Sequence, residues 1–87
     1  MYEIVTRNKN VEKRLNDYIR KRDDIYNKLK RLKIDPRRNC GAHPLYGELK
    51  GKWSCWLGSN IRMIYKIDGY LKLLWLKMLG HIKFIKF

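Results

Sequence analysis

The stretch "KWSCWLGSNIRMIYKI", residues 52–67, decides the fold of this chain. Two runs rich in aromatic and β-branched residues flank the turn sequence "GSN", a pattern typical of a β-hairpin. With "GSN" as the loop, Leu57 lies opposite Ile61, and side chains along both strands alternate between two faces. One face is then apolar or semi-apolar throughout and is predicted to pack against helices; its members are Trp53, Cys55, Leu57, Ile61, Met63, Tyr65 and Ile67.

The other face of this predicted hairpin combines cations with a tryptophan. It carries Lys52, Ser54, Trp56, Arg62, Ile64 and Lys66. A register slip of one residue would bury Arg62 beneath the helices, and burying a charge without a partner is costly. We therefore expect Arg62 to project from the face of the sheet that the helices leave uncovered.

Upstream of the hairpin, the sequence predicts one strand and a pair of helices. Residues 2–6, "YEIVT", are rich in β-forming side chains and predict a short strand. Between residues 11 and 32, apolar side chains recur at spacings of three, four and seven, as on one face of a helix. Five consecutive charged residues, 20–24, interrupt this stripe. Two helices in a hairpin are favoured, and one long helix is the alternative because no glycine or proline forces a break.

The ends of these helices carry recognisable signals. Asn8 or Asn10 can cap the first helix, and Asp23 is a candidate cap for the second. The helical segment ends by Ile34, because Pro36 disfavours helical conformation in the residue before it.

Downstream, the chain predicts a connection and a third hairpin strand. Residues 35–51 hold two prolines and three glycines and show no period. A strand begins at Tyr70, after the turn sequence "DG", and runs through residue 79. The order is β-αα-βββ. It predicts an α+β fold in which a helical hairpin packs on one face of a small, twisted, mostly antiparallel sheet. With 87 residues, the chain is expected to be one domain, residues 1–87.

Charge and composition limit the environment and the partners. Lysine and arginine total 21 against 8 acidic residues, a net charge of +13, so an acidic partner is expected. The N-terminus lacks the apolar run of a signal peptide, and no segment offers the roughly 18 apolar residues of a membrane span. Cys40 and Cys55 lack the spacing of a zinc site, and reduced thiols are favoured over a disulfide. A cytoplasmic protein without contact to a membrane is expected.

Three side chains suggest chemistry on RNA. His43 and His81 are the two histidines of the chain; one precedes the hairpin and the other follows the last predicted strand. With Arg62 between them, they can supply a base, a phosphate-binding cation and an acid around one concave face. This trio suits cleavage of RNA by its own 2′-hydroxyl, which needs no metal and no cofactor. Each residue also has an ordinary interpretation as a loop or surface side chain.

The stretch "HPLYGELKGKWSCWLGSNIRMIYKID", residues 43–68, resembles the centre of the RelE/ParE superfamily of toxins. The matching positions are Pro44, Leu45, Leu49, Gly51, Trp53, Ser54, Arg62 and Tyr65. Gly80 and His81 resemble the motif that ends the last strand of YoeB-like and YafQ-like members. The resemblance covers nearly the whole chain.

This resemblance implies a toxin of a type II toxin-antitoxin system. Such toxins enter the ribosomal A site and cut mRNA there as metal-independent endoribonucleases, and a small acidic antitoxin binds them in a hetero-oligomer. His43 matches the catalytic histidine of the YafQ-like branch and the glutamate base of the YoeB-like branch. Arg62 matches the phosphate-binding arginine, and His81 matches the general acid.

Further contacts with RNA or phosphate are expected from other cations and a tryptophan: Lys50, Lys52, Trp56, Lys66 and Lys77. Three positions depart from the family pattern. Trp56 stands where the YoeB-like branch has a second arginine and the YafQ-like branch has a histidine. Asn60 stands at a YafQ-like aspartate, and Ile85 at a position where most members have an aromatic residue. Lys50, Lys52 or Lys77 are candidates to replace the missing cation.

Two other functions stay open at this point. ParE-like members of the same superfamily poison DNA gyrase and lack the histidines, so His43 and His81 favour the nuclease. A basic RNA-binding module without chemistry would use the same face for phosphate and shape contacts alone.

Overall fold

A computed structural model of the chain describes residues 1–58 and 60–81. The elements are β1 (Glu3–Val5), α1 (Lys9–Lys21), α2 (Asp23–Ile34), β2 (His43–Pro44), β3 (Trp53–Gly58), β4 (Ile61–Asp68) and β5 (Leu73–His81). Short 3-10 turns occupy Asn39–Gly41 and Gly47–Leu49. The strands form one sheet in the order β1-β5-β4-β3-β2, with β1 parallel to β5 and the other neighbours antiparallel. The predicted α+β class, with a helical hairpin on a mostly antiparallel sheet, is confirmed.

The two helices form as the charge pattern predicted, with one correction. Asn8 caps α1, since its side-chain oxygen accepts hydrogen bonds from the backbone N–H groups of Asn10 at 2.9 Å and Val11 at 3.1 Å. The helices are separated by Arg22 alone, in extended conformation. The expectation that Asp23 caps α2 is wrong, because Arg22 occupies the cap position and Asp23 is the first helical residue. Within the described ranges, neither helix has the length and apolar character needed to span a bilayer.

The hairpin of β3 and β4 has the predicted register over most of its length. Cys55 lies opposite Met63, and Trp56 lies opposite Arg62. Near the turn a β-bulge shifts the pairing, so that Gly58 rather than Leu57 lies opposite Ile61. Leu57 is nevertheless fully buried. The middle residue of the predicted loop, Ser59, lies outside the described residues.

The sheet contains a fifth strand that the sequence pattern did not reveal. His43 pairs with Ser54 and Pro44 pairs with Trp53, so part of the predicted connection is an edge strand. Two residues are too few to show a period of two, and proline is compatible with an edge strand. The last strand also includes His81, whereas the sequence pattern predicted that His81 follows this strand.

The hydrophobic core lies between the helices and one face of the sheet, the helix-side face. Its fully buried members include Ile25 and Leu32 from α2, and Cys55, Leu57, Met63, Tyr65 and Leu74 from the sheet. The hydroxyl of Tyr65 donates a hydrogen bond to the carbonyl oxygen of Pro36 at 2.6 Å. This bond ties the connection after α2 to the centre of the sheet and so limits where β2 can begin.

Both cysteines are free thiols, as predicted. Cys55 is buried in the core, and Cys40 is half-buried with its Sγ donating to the carbonyl oxygen of Lys28 at 3.1 Å. Burial raises the pKa of both thiols. They are therefore poor nucleophiles and act as packing residues.

Candidate functional site

The face of the sheet opposite the helices carries most of the residues singled out in the sequence; we call it the distal face. Residues that pair directly across neighbouring strands share a face. The rows of the distal face are His43, Ser54, Ile64 and Met78; Trp56, Arg62 and Gly80; and Lys66, Trp75 and Val5. Ser54 and Ile64 are fully buried, so the centre of this face is closed and the polar side chains lie around it.

Arg62 lies on the distal face, as expected. Its Cζ is 4.7 Å from the ring centroid of Trp56, a cation–π contact between directly opposed residues. Trp56 also packs against the loop before β2, since a Cβ added to Gly41 would lie 3.3 Å from its Cδ1. Trp56 therefore orients the guanidinium of Arg62.

His43 lies on the same face, one strand beyond Trp56. Its Nδ1 is 3.1 Å from the carbonyl oxygen of Gly41. A carbonyl oxygen only accepts hydrogen bonds, so Nδ1 carries the proton and Nε2 of the neutral ring holds the lone pair. This is the tautomer that a general base requires.

One strand, β3, lies between His43 on β2 and Arg62 on β4. The spacing from β2 to β4 is about 10 Å, and the rows of His43 and Arg62 are two residues apart along the strands. Both side chains are half-buried on one surface. The arrangement allows an imidazole and a guanidinium to contact a single nucleotide placed between them.

His81 departs from the sequence expectation. It lies opposite Ile61, which belongs to the helix-side face, and it lines a cavity of about 300 Å³ with Arg14, Tyr18 and Gly80. The expectation that both histidines and Arg62 gather on one face is wrong for His81. Because side chains alternate along a strand, the residue after Gly80 points to the opposite side from the Arg62 row.

Arg14 joins the site from α1, although no sequence pattern predicted it there. Its Nη1 donates to the carbonyl oxygen of Leu79 at 2.8 Å. A Cβ built on Gly80 would lie 3.2 Å from this nitrogen, so glycine lets the guanidinium lie against the strand. Gly80 lies opposite Arg62 in the register of β4 and β5, so Arg14 adjoins the backbone of the row that contains Arg62. The available sequence signal was Arg14 lying one helical turn before Tyr18, on the side of α1 that faces the sheet.

The predicted lysines occupy two ends of the distal face. Lys52 alternates with Ser54, and its carbonyl oxygen accepts from Leu45 N–H at 2.9 Å, which places it beside β2. Lys50 is exposed two residues earlier. Lys66 lies opposite Trp75, and Lys77 is the extra residue of a β-bulge between the pairs Ile64–Met78 and Tyr65–Leu76.

The remaining departures from the family pattern are at turns and beyond the described chain. Asn60 is exposed at the β3–β4 turn with φ of 63°. Ile85 lies outside the described residues. By contrast, Tyr65 of the motif is a core residue that anchors Pro36, so its presence reflects folding rather than contact with a ligand.

Comparison with known proteins gives solved structures only. No family model matches the sequence, and no curated protein gives a significant match. The heterotetrameric YoeB-YefM toxin-antitoxin complex from Staphylococcus aureus contains a chain that superposes with a TM-score of 0.72 at 14% identity, over 93% of this chain and 97% of that one. HP0892 from Helicobacter pylori, a conserved hypothetical protein, gives 0.63 at 27% identity over 95% and 97%. The DinJ-YafQ complex from E. coli gives 0.63 at 20% identity over 95% and 96%.

These similar structures show which fold the chain has. The described chain has the architecture of the YoeB and YafQ toxins, two helices on a mixed five-stranded sheet, matched over almost its full length. The fold that the resemblance to the RelE/ParE superfamily implied is therefore confirmed.

Proposed function

We propose that this chain is the toxin of a type II toxin-antitoxin system and a ribosome-dependent endoribonuclease that cuts mRNA in the cytoplasm. The observation that carries the proposal is the joint presence of His43 and Arg62 on the distal face, with the Nδ1–H of His43 held by Gly41. The fold shared with YoeB and YafQ supports the same conclusion.

The proposed reaction is transfer of the phosphodiester to the neighbouring ribose oxygen. Nε2 of His43 accepts the proton of the 2′-hydroxyl as the 2′-oxygen bonds to phosphorus. Arg62 and Arg14 offset the charge that develops on the phosphoryl oxygens. The bond from phosphorus to the 5′-oxygen breaks, and that oxygen takes a proton from solvent water, because His81 points to the other side of the sheet. The products are a 2′,3′-cyclic phosphate and a 5′-hydroxyl end.

An acidic antitoxin is the proposed partner outside the ribosome. The net charge of +13 favours a polyanion, whether RNA or an acidic protein. Among the solved neighbours, YoeB is seen with YefM and YafQ with DinJ. We therefore expect the chain to form a hetero-oligomer with a small acidic protein, which neutralises the cations of the distal face while it is bound.

Primer extension on mRNA after induction of the chain tests the nuclease directly. The wild-type chain is expected to leave cuts within translated messages. The variants His43→Ala and Arg62→Ala should each lower cutting by about a hundredfold or more, as loss of a charge-stabilising or proton-transfer group does. His81→Ala should lower cutting far less, because His81 points to the other side of the sheet. Lys13→Ala removes an exposed cation from α1, away from the distal face, and serves as the charge-matched control.

The same experiment separates the alternatives. Uncut messages with continued translation and damaged DNA would favour a gyrase poison. Uncut messages bound by the chain would favour an RNA-binding module. Cutting that persists undiminished in both His43→Ala and Arg62→Ala would remove the assigned roles.

A further inference from the structure

The distal face holds a second concave region, remote from His43, around Trp75 of β5. Trp75 lies in a row between Val5 of β1 and Lys66 of β4. The chain turns over it after β1, so that the Cζ of Arg7 lies 5.3 Å from the centroid of the indole ring. A cavity of about 560 Å³ opens here, and we call it the Trp75 cleft; its lining includes Arg7, Lys66, Asp68, Tyr70, Trp75 and Lys77.

We propose that the Trp75 cleft binds one unpaired base of a single-stranded RNA together with its phosphate. The proposal rests on the RNA substrate proposed above and adds a second contact to it. The cleft lies on the same face as Arg62, four residues further along β4 at Lys66, a separation of about 13 Å that a short single strand spans.

The chemistry of the lining favours this ligand. Trp75 supplies a flat apolar surface, and the exposed Tyr70, 94% accessible, stands at the rim. Arg7, Lys66 and Lys77 surround the indole with positive charge. Aromatic rings among cations are the combination that binds single-stranded nucleic acid, through base stacking and phosphate attraction.

The one carboxylate named in the lining does not oppose this assignment. Oδ1 of Asp68 accepts a hydrogen bond from the backbone N–H of Leu71 at 2.9 Å, so it serves the β4–β5 turn. A volume of about 560 Å³ is also in the range of pockets that bind small ligands. Duplex RNA keeps its bases stacked inside the helix, so a single strand is the expected occupant.

Binding of the 87-residue chain to a labelled six-nucleotide single-stranded RNA tests the cleft, with duplex RNA and inorganic polyphosphate as comparison ligands at one salt concentration. Trp75→Leu keeps an apolar side chain and removes the stacking surface. It should weaken binding of the single strand about tenfold and leave polyphosphate binding unchanged. Trp75→Phe should retain most of the affinity.

Arg7→Gln provides a second variant on an exposed residue, in case Trp75→Leu disturbs folding, which circular dichroism reports. Arg7→Gln should weaken the binding of both the single strand and polyphosphate several-fold. Lys13→Gln on α1 should leave both affinities nearly unchanged. Equal single-strand affinity in Trp75→Leu and wild type, or an equal loss for polyphosphate, would overturn the proposal.

These outcomes are distinct from those of the cleavage experiment. Weaker oligonucleotide binding by Trp75→Leu, with no cutting by the wild-type chain, would keep the cleft and remove the nuclease. Normal binding by Trp75→Leu in a chain that cuts mRNA would keep the nuclease and remove the cleft.

Discussion

The two faces of the sheet are governed by different constraints. The helix-side face packs Cys55, Met63 and Tyr65 against α2 with no exposed surface. The distal face carries Trp56, Arg62 and Lys66 in the corresponding alternate positions, and all three keep part of their surface accessible. Burial therefore specifies one face by volume and polarity, whereas the other face is free to carry charge that the fold does not need.

This difference predicts that stability and activity respond to different substitutions. Large apolar side chains on the helix side should control unfolding, and cations on the distal face should control what the chain does. The following predictions test that separation, starting with the largest expected effect.

Ile25→Ala should be strongly destabilising. Ile25 has no exposed surface and packs from α2 onto the sheet, so the truncation removes buried methyl groups and leaves a cavity. We expect a loss of about 2–5 kcal/mol in the free energy of unfolding, measured in urea. Arg62→Ala should lose only about 1 kcal/mol, the value of its contact with Trp56. Similar losses in both variants would mean that Arg62 serves the fold as much as the core does.

Alkaline pH should destabilise the chain through its helix-side face. Burial raises the pKa of Cys55 above its ordinary 9.0 and that of Tyr65 above its ordinary 10.0. The unfolded chain then releases these protons first, so the stabilisation is complete below pH 9 and is lost as the pH rises. The melting temperature of wild type should fall above that pH.

Tyr65→Phe is the matched control for this pH dependence. Its baseline stability should be lower, because the carbonyl oxygen of Pro36 loses its hydrogen bond, but the decline above pH 10 should be shallower than in wild type. Parallel declines in the two proteins would show that the phenol does not contribute.

Two glycines in similar backbone conformations isolate the packing under Trp56. Gly41 and Gly47 have φ of 63° and 68°, and both conformations strain an alanine. A Cβ at Gly47 meets nothing within 4 Å, so Gly47→Ala should cost about 1 kcal/mol of stability. Gly41→Ala should cost more, because its Cβ would press on Trp56, and it should also change the tryptophan fluorescence. Equal losses would indicate that the loop yields freely around Trp56.

The fold was predictable from the sequence where burial controls it. The alternation through Trp53–Trp56 and Ile61–Ile67 gave the hairpin register, and the charged run at 20–24 marked the separation of the helices. The strand at His43 was missed because two residues carry no period. The bulge at Gly58 was missed because it depends on the conformation of the β3–β4 turn, which the alternation of side chains does not reveal.

The candidate site was predictable only in part. Arg62 was assigned to the distal face because burying it would be costly, and the structure agrees. His81 was assigned there because the ends of different strands can meet at one rim of a sheet. Alternation along β5 instead points His81 to the helix-side face. Arg14 was not found at all, since its proximity to Gly80 depends on how α1 crosses the sheet. Register can be inferred from local patterns, but the meeting of distant elements cannot.

The position of β5 has a consequence for how the chain is made. This strand is the last of the described strands to be synthesised, yet it lies inside the sheet, between β4 and the N-terminal β1. Val5 of β1 pairs with Trp75, which is synthesised seventy residues later. Contacts so distant in sequence form slowly. A ribosome making this chain therefore holds an unfinished sheet, in which β1 has no neighbour among the described strands, until β5 has been synthesised.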